Sequence, residues 1–199
     1  MKKIIAYLAV SADGFIARQD GDVSWLDRPR PADEYGMPAF LRSVDTVVMG
    51  RVTWEVGQQI GGALVEGKKN IVLSRTLPSY GIPGAAVVNA SVESLAARLR
   101  GEKGRNVWVM GGAKVFGEFL DAGVLDEVVI HVVPVLIGTG ICLLDATPRQ
   151  TELKLRSTRR FSDGVVRIHY DIDRKGTIAV TCRRAFVAFG EYACVADPP

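Results

Sequence analysis

Residues 106–121, NVWVMGGAKVFGEFLD, give the clearest indication of the fold. The first part of this stretch, Asn106–Met110, is short and mostly apolar, as in a strand buried inside a sheet. Two glycines end that strand, and Ala113–Asp121 then places apolar side chains at helical spacing. A strand, a glycine turn and an amphipathic helix are consecutive parts of a βαβ unit. The stretch therefore predicts an α/β protein with a mostly parallel central sheet.

The same alternation extends outward in both directions. Further strands are predicted at residues 3–10, 45–50, 70–74, 86–89 and 127–135, and helices at 33–43, 51–59 and 91–100. Gly36 and Pro38 weaken the helix predicted at 33–43, and Ser91 is expected to cap the helix that follows it. Residues 11–32 are predicted to be a loop. Two extended segments, 152–161 and 164–173, flank an Asp-Gly turn, which predicts a C-terminal antiparallel hairpin.

Composition excludes several classes of protein. The chain has 199 residues, 48% hydrophobic and 24% charged, which is typical of one large globular domain rather than a disordered chain. A net charge of +3, from 25 basic and 22 acidic residues, argues against an obligate nucleic-acid binder. Three dispersed cysteines and two distant histidines lead us to expect neither a disulfide framework nor a metal site. No apolar run reaches the ~18 residues of a membrane span, so we expect a cytoplasmic protein.

Two strand–glycine–helix junctions carry the chemical signal. The first is MGRVTWE (49–55), and the second is VMGGAK (109–114). A glycine at such a junction lets a ligand approach the backbone, and the helix behind it directs free N–H groups at phosphate. Arg51 and Lys114 are poorly placed for the helix dipole, and a bound anion would explain both. Neither junction matches the Walker A or GxGxxG patterns.

Three segments together resemble the dihydrofolate reductase superfamily: MGRVTWE, GKKNIVLSR (67–75) and VMGGAKVFGEFL (109–120). Ala9–Ala17 and residues 134–140 resemble the riboflavin-biosynthesis reductase domains, the RibD C-terminal-like branch of that superfamily. The resemblance implies a dihydrofolate reductase-like three-layer sandwich.

The resemblance covers about residues 3–173. We therefore assign residues 1–173 to one NADPH-binding reductase domain. Residues 174–199 form an atypical C-terminal tail, with an extra hairpin, a swapped strand and a dimer contact as the open alternatives.

NADPH is the cofactor that the resemblance implies, with a cis peptide bond between the two glycines of the second junction. Three cations on separate loops, Arg51, Arg75 and Lys114, exceed what a bare ribose hydroxyl requires and favour a phosphorylated cofactor. The implied cofactor-binding residues are Ala9, Ile16, Gly50, Arg51, Thr53, Leu73, Ser74, Arg75, Met110, Gly111, Gly112, Ala113, Lys114 and Val115.

For catalysis the resemblance points to Trp25, at the border of the nicotinamide, and to an acidic residue on the first helix. Counting back from MGR puts Glu34 at the acidic position, whereas alignment on Phe40 puts Gly36 there. Glu34 and a bound water are the candidate proton sources. Lys68 stands where folate enzymes usually have an arginine, which argues against folate. His131, in an apolar strand, is predicted to be structural, although the resemblance places it near the end of that strand that borders the site.

We therefore expect an NADPH-dependent oxidoreductase that transfers a hydride to a small heterocycle. A pyrimidine- or pteridine-type compound resembling the riboflavin-pathway ribosylaminopyrimidine is the expected substrate. A true dihydrofolate reductase and a non-catalytic module that binds NADPH or a pterin remain alternatives. We further expect a homodimer that acts on a small-molecule substrate and binds neither nucleic acid nor a membrane.

Overall fold

A computed structural model describes residues 2–62, 64–78, 80–144 and 149–179. The strands in these ranges are β1 (Ile4–Ser11), β2 (Phe15–Ala17), β3 (Val44–Gly50), β4 (Lys69–Leu73), β5 (Ala85–Val88), β6 (Asn106–Gly111), β7 (Glu127–Val133), β8 (Ile141–Cys142), β9 (Arg149–Arg160) and β10 (Val166–Ala179). The α-helices are α1 (Met37–Ser43), α2 (Arg51–Gln59), α3 (Val92–Gly101) and α4 (Ala113–Asp121). Short 3-10 turns occupy Ser24–Leu26 and Glu34–Gly36.

Eight of these strands form one sheet in the order β5-β4-β3-β6-β1-β7-β10-β9. The strands from β5 to β7 run parallel to one another. β10 pairs antiparallel with β7, and the edge strand β9 pairs antiparallel with β10. A second, two-stranded sheet pairs β2 with β8. The predicted mostly parallel sheet with a C-terminal hairpin is confirmed.

Helices cover both faces of the sheet and so form three layers. Leu95 and Leu99 of α3 and Phe119 of α4 are buried in a core on one face. Phe40 of α1 and Trp54 of α2 pack against a second core on the other face. Burial of these apolar stripes is the main stabilising term of such an architecture. The dihydrofolate reductase-like three-layer sandwich is thereby confirmed.

Three local predictions need correction. The helix predicted at 33–43 begins only at Met37, because Tyr35 and Gly36 adopt left-handed backbone angles, with φ of 60° and 84°. Part of the predicted loop 11–32 forms β2, whose partner β8 is distant in sequence. The strand predicted at 127–135 ends at Val133, immediately before Pro134.

The C-terminal region is described only in part. β10 continues to Ala179, beyond the predicted domain limit at residue 173. Residues 180–199, with most of the predicted tail, lie outside the described residues. Within the described ranges, no helix is both long and apolar enough to cross a membrane.

Candidate active site

A cavity of about 1040 Å³ lies at the carboxyl ends of β1, β3, β4 and β6. Open α/β sheets bind ligands at this edge of the sheet. Most of the residues predicted from the sequence line the cavity, and these are Ala9, Ile16, Glu34, Gly50, Arg51, Thr53, Leu73, Ser74, Arg75, Met110, Gly112, Ala113, Lys114 and Val115. The fold therefore brings together groups that are separated by more than a hundred residues in the sequence.

Trp25 and Gly111 are the predicted site residues that do not line the cavity. Trp25 packs against a small core around Val133, Phe161 and Val165, and its buried Nε1 has no hydrogen-bond partner among the described residues. Gly111 is buried behind the cavity wall, with a φ of 112° that favours glycine. Its peptide bond to Gly112 is cis, as the sequence resemblance implied.

One half of the cavity, the helix half, is built by the amino termini of α2 and α4. Their N-cap residues, Gly50 and Gly112, offer no side-chain cap, and neither helix has an acidic residue in its first turn. By contrast, the Ser91 side chain caps α3 and Glu93 lies in the first turn of that helix. The free N–H groups of α2 and α4 and their positive dipole ends suit a bound anion.

Close packing at the two glycines brings these helix ends together. A Cβ atom on Gly50 would lie 3.0 Å from Cγ2 of Val115, and one on Gly112 would lie 3.2 Å from Oγ1 of Thr53. Any side chain at either position would crowd the facing helix. The glycines therefore keep the backbone N–H groups and the Thr53 hydroxyl next to the cavity.

The three predicted cations all line the helix half, but they differ in their partners. Arg51 forms an ion pair with Glu55, with NH1 2.5 Å from Oε1. Arg75 is largely exposed and lies 3.9 Å from Glu118. Lys114 is exposed and has no ion-pair partner in the described part of the chain. Lys114 is therefore the cation most available to an anionic ligand.

The other half, the aromatic half, is lined by Tyr7, Tyr35, Trp108 and His131. Arg28, Arg30 and Glu34 also line it; Arg30 and Glu34 are exposed, and Arg28 is half-buried.

Tyr35 is tied to the β9–β10 turn, where its hydroxyl donates to Asp163 at 2.6 Å. Arg28 donates to the carbonyl of the same aspartate at 2.8 Å. These bonds attach the wall that carries Glu34 to the antiparallel hairpin.

Tyr7 and His131 are the deeply buried polar pair of the aromatic half. The Tyr7 hydroxyl lies 3.3 Å from Nε2 of His131 and donates to the Tyr35 carbonyl at 3.3 Å. Burial lowers the pKa of His131 to about 4, and the nearby Arg167 guanidinium contributes to this shift. Burial raises the pKa of Tyr7 to about 12. Both side chains are therefore neutral around pH 7.

Sequence reasoning missed Tyr7 entirely, and it predicted a structural role for His131 although the resemblance placed that residue near the site. An apolar strand around His131 suggested a structural histidine, and Tyr7 showed no distinguishing signal in an apolar strand. The alternation of side chains along a strand could have indicated both residues, because Tyr7 lies on the same face of β1 as the predicted site residue Ala9. Ala9 is in turn opposite His131 in the pairing of β1 with β7.

Lys68 lies in a structural contact. Its Nζ donates to the carbonyls of Leu41 and Val44, at 2.8 and 2.9 Å, at the end of α1. Basic side chains commonly satisfy the last carbonyls of a helix. Lys68 is therefore already engaged and is not among the residues that line the cavity.

Comparison with known proteins places these features in a family context. The RibD C-terminal domain family matches residues 2–167. Uncharacterized protein YwjB of Bacillus subtilis (strain 168) is 35% identical over 170 residues, which cover 85% of this chain and 97% of that protein.

Solved structures show the same architecture. A putative riboflavin biosynthesis protein from Shewanella sp. PV-4 superposes with a TM-score of 0.77 at 27% identity, over 86% of this chain and 99% of the other. Dihydrofolate reductase from Enterococcus faecalis, solved with NADP(H), superposes with a TM-score of 0.60 at 18% identity, over 86% and 96%. The second likeness concerns the fold alone.

Proposed function

The chain belongs to the RibD C-terminal domain family, and from that premise we propose that it is an NADPH-dependent reductase of a small heterocycle. The pair of uncapped helix amino termini, facing one cavity, is the observation that carries this proposal. We propose a pyrimidine- or pteridine-type substrate similar to the ribosylaminopyrimidine of riboflavin synthesis. The substrate lies in the aromatic half and the cofactor in the helix half.

The residues of the helix half fit a dinucleotide phosphate. N–H groups at the start of α2 and α4 bind the diphosphate oxygens, and the Thr53 hydroxyl adds a donor. The absence of acidic residues from both first turns removes a competing anion. Arg75 and Lys114 supply positive charge for the additional phosphate that distinguishes NADPH from NADH.

A bound nicotinamide supplies a hydride at its reactive ring carbon. Residues of this chain position the ring and exclude water from it. Ala9 and Ile16 line the cavity between its two halves, and the apolar side chains of Leu8 and Val133 extend the same wall. A small side chain at Ala9 leaves room for two planar rings to face each other there.

An acidic and a basic side chain at the edge of the aromatic half are suited to polar groups of the substrate. The Glu34 carboxyl is exposed at the edge of the aromatic half, where it can exchange a proton with solvent and with a bound ring. Arg30 lines the same half and favours an anionic substituent such as a phosphate ester, whereas Arg28 is already paired with the Asp163 carboxylate at 3.2 Å. Glu34 and a water molecule held at this edge remain the candidate proton donors.

Two measurements test the proposal. Purified protein is first titrated with NADPH and with NADH by fluorescence, and we expect tighter binding of NADPH. Loss of NADPH absorbance is then followed with the ribosylaminopyrimidine phosphate and, separately, with dihydrofolate. Turnover of the first substrate supports the proposal, and turnover of dihydrofolate alone identifies a dihydrofolate reductase.

Binding of NADPH without turnover of either compound would favour a cofactor-binding module. Failure to bind NADPH would refute the proposed function outright. We also propose a homodimer, which sedimentation of the full chain tests independently of activity.

A further inference from the structure

The hydroxyl of Tyr7 is held in a defined position at the bottom of the aromatic half. Its ring stacks on Phe40 with centroids 4.1 Å apart and packs against His131 at 4.7 Å. The Trp108 indole N–H donates to the Tyr7 backbone carbonyl at 3.1 Å, so the polar group of Trp108 is already bonded. Tyr7 and His131 are only 7% and 5% exposed, yet both line the cavity.

Hydrogen-bonding capacity remains at this buried position. The two contacts of the Tyr7 hydroxyl, to His131 and to the Tyr35 carbonyl, are both 3.3 Å long. Typical O–H···O bonds are about 2.7–2.8 Å long and N–H···O bonds about 2.9–3.0 Å, so both contacts are longer than usual. A phenol donates one hydrogen bond and accepts others, so a ligand N–H can donate to the Tyr7 oxygen, and a ligand carbonyl can accept the Tyr7 proton in place of the Tyr35 carbonyl. A ligand entering the aromatic half therefore finds an incompletely satisfied hydroxyl.

Charge around the pair disfavours a cationic ligand. Arg167 of β10 pairs with His131 of β7, and its NH1 atom lies 3.0 Å from the position of a Cβ on Gly36. Asp33 acts on Tyr7 only through its field and forms an ion pair with Arg159 at 2.7 Å. No carboxylate of the described residues hydrogen-bonds to either member of the pair. The Glu34 carboxyl lines the same half but is exposed at its edge and does not hydrogen-bond to Tyr7 or His131. A protonated ring bound at Tyr7 would therefore face a neutral pair with the Arg167 guanidinium nearby.

We propose that the Tyr7 hydroxyl, positioned by His131, binds an uncharged carbonyl or N–H group on the edge of the substrate ring. The site consequently selects a neutral, lactam-type ring over a protonated diamino ring. Tyr7 is the ligand-binding group in this arrangement, and His131 is a positioning residue that acts through it. The inference rests on the proposed function only in placing the substrate in the aromatic half.

The ionisation states of Tyr7 and His131 support the same preference for a neutral ring. The pair stays neutral between the lowered pKa of His131, about 4, and the raised pKa of Tyr7, about 12. Recognition by this pair is therefore expected to be independent of pH between about 5 and 9.

The test compares two small probes of equal ring size, uracil and 2,4-diaminopyrimidine, by ligand-observed NMR titration. Each titration is made with and without NADPH, and NADPH affinity is measured separately. The variants are Tyr7→Phe, His131→Leu and His131→Gln. Tyr170→Phe is the matched control, because it removes a phenol of β10 that does not line the cavity.

We expect wild-type protein to bind uracil more tightly than 2,4-diaminopyrimidine. Tyr7→Phe should weaken uracil binding by about fivefold to tenfold, the contribution of a neutral buried hydrogen bond. His131→Leu should weaken it similarly, whereas His131→Gln, which can still bond the hydroxyl, should restore most of it. NADPH affinity and the thermal midpoint of Tyr7→Phe should stay close to those of the control.

Three results would overturn the inference: no binding of uracil to wild-type protein, preference for 2,4-diaminopyrimidine, or unchanged uracil affinity in Tyr7→Phe. Equal loss in His131→Leu and His131→Gln would assign His131 a merely structural role and refute its positioning. Failure of NADPH binding with these uracil results intact would refute the proposed function and leave the Tyr7 assignment standing.

Discussion

Replacing Lys114 with alanine should weaken NADPH binding and at the same time stabilise the unliganded protein. Lys114 lies in the first turn of α4, is exposed, and has no ion-pair partner among the described residues. A cation at this end of a helix opposes the macrodipole by ~0.3–1 kcal/mol. In a chain of this size 1 kcal/mol corresponds to about 2–4 °C. The thermal midpoint of the unliganded variant should therefore rise by about 1–4 °C.

The effect on binding has the opposite sign and is larger. A hydrogen bond from a charged donor contributes ~1.5–3 kcal/mol. Because Lys114 is exposed, solvent screening reduces this contribution, and we expect the lower end of the range. That corresponds to about a tenfold increase in the dissociation constant for NADPH. The difference should diminish with added salt, since the Debye length is only about 10 Å at 0.1 M.

Fluorescence titration with NADPH and thermal unfolding measure the two effects on the same samples. Lys154→Ala is the matched control, because Lys154 is an exposed lysine of β9 that does not line the cavity. Unchanged NADPH affinity at low salt in the Lys114 variant would refute the assignment of Lys114 to the phosphate site. A fall in the thermal midpoint without ligand would refute the dipole argument.

Three further predictions concern the residues that surround the site and the sheet. Glu55→Gln should release Arg51 from an ion pair whose side chains are 42% and 38% exposed; NADPH affinity should then rise by up to about fivefold in a low-salt titration, and weaker binding would contradict this. Gly50→Ala places a Cβ 3.0 Å from Val115, so urea unfolding should show a loss of ~1–3 kcal/mol. That loss should be partly recovered in the double variant with Val115→Ala, and simple additivity would contradict the packing argument. The Glu127 carboxyl is 6% exposed and accepts hydrogen bonds from three basic side chains; Glu127→Gln should cost ~1–3 kcal/mol near pH 7. Burial raises the pKa of the Glu127 carboxyl, but the hydrogen bonds from the three basic side chains lower it. The resulting pKa lies below the usual value of 4.5. The stabilisation is therefore present above pH 4.5 and lost as the pH falls through the folded value, so thermal midpoints of variant and wild type should converge in acid.

Local sequence alone was sufficient for the elements that have strong periodicity. The helix predicted at Ala113–Asp121 and the helix at 51–59 both appear with those bounds. The predicted cap of α3 is present, with the Ser91 hydroxyl accepting from the Ser94 N–H at 3.3 Å. These features depend on contacts within one turn, and the sequence of one turn contains all the partners.

Elements that depend on distant partners could not be predicted in this way. β2 is a strand of three residues, and it exists because Ile141–Cys142 pairs with it. The start of α1 depends on a left-handed turn at Glu34–Gly36, whose tyrosine is bound to Asp163 of the hairpin. Such contacts join residues more than a hundred positions apart.

The same difference between local and distant contacts separates the cofactor side of the site from the substrate side. The two glycine junctions and their cations could be predicted from the sequence, because each junction is one continuous segment with a recognisable pattern. The contact of Lys68 with the end of α1 depends instead on the packing of segments that are distant in the sequence. The tertiary structure also brought Tyr7 to His131, 124 positions away, through the register of two parallel strands. Backbone pattern is local, whereas the environment of a polar side chain is set by whichever residues the fold packs around it.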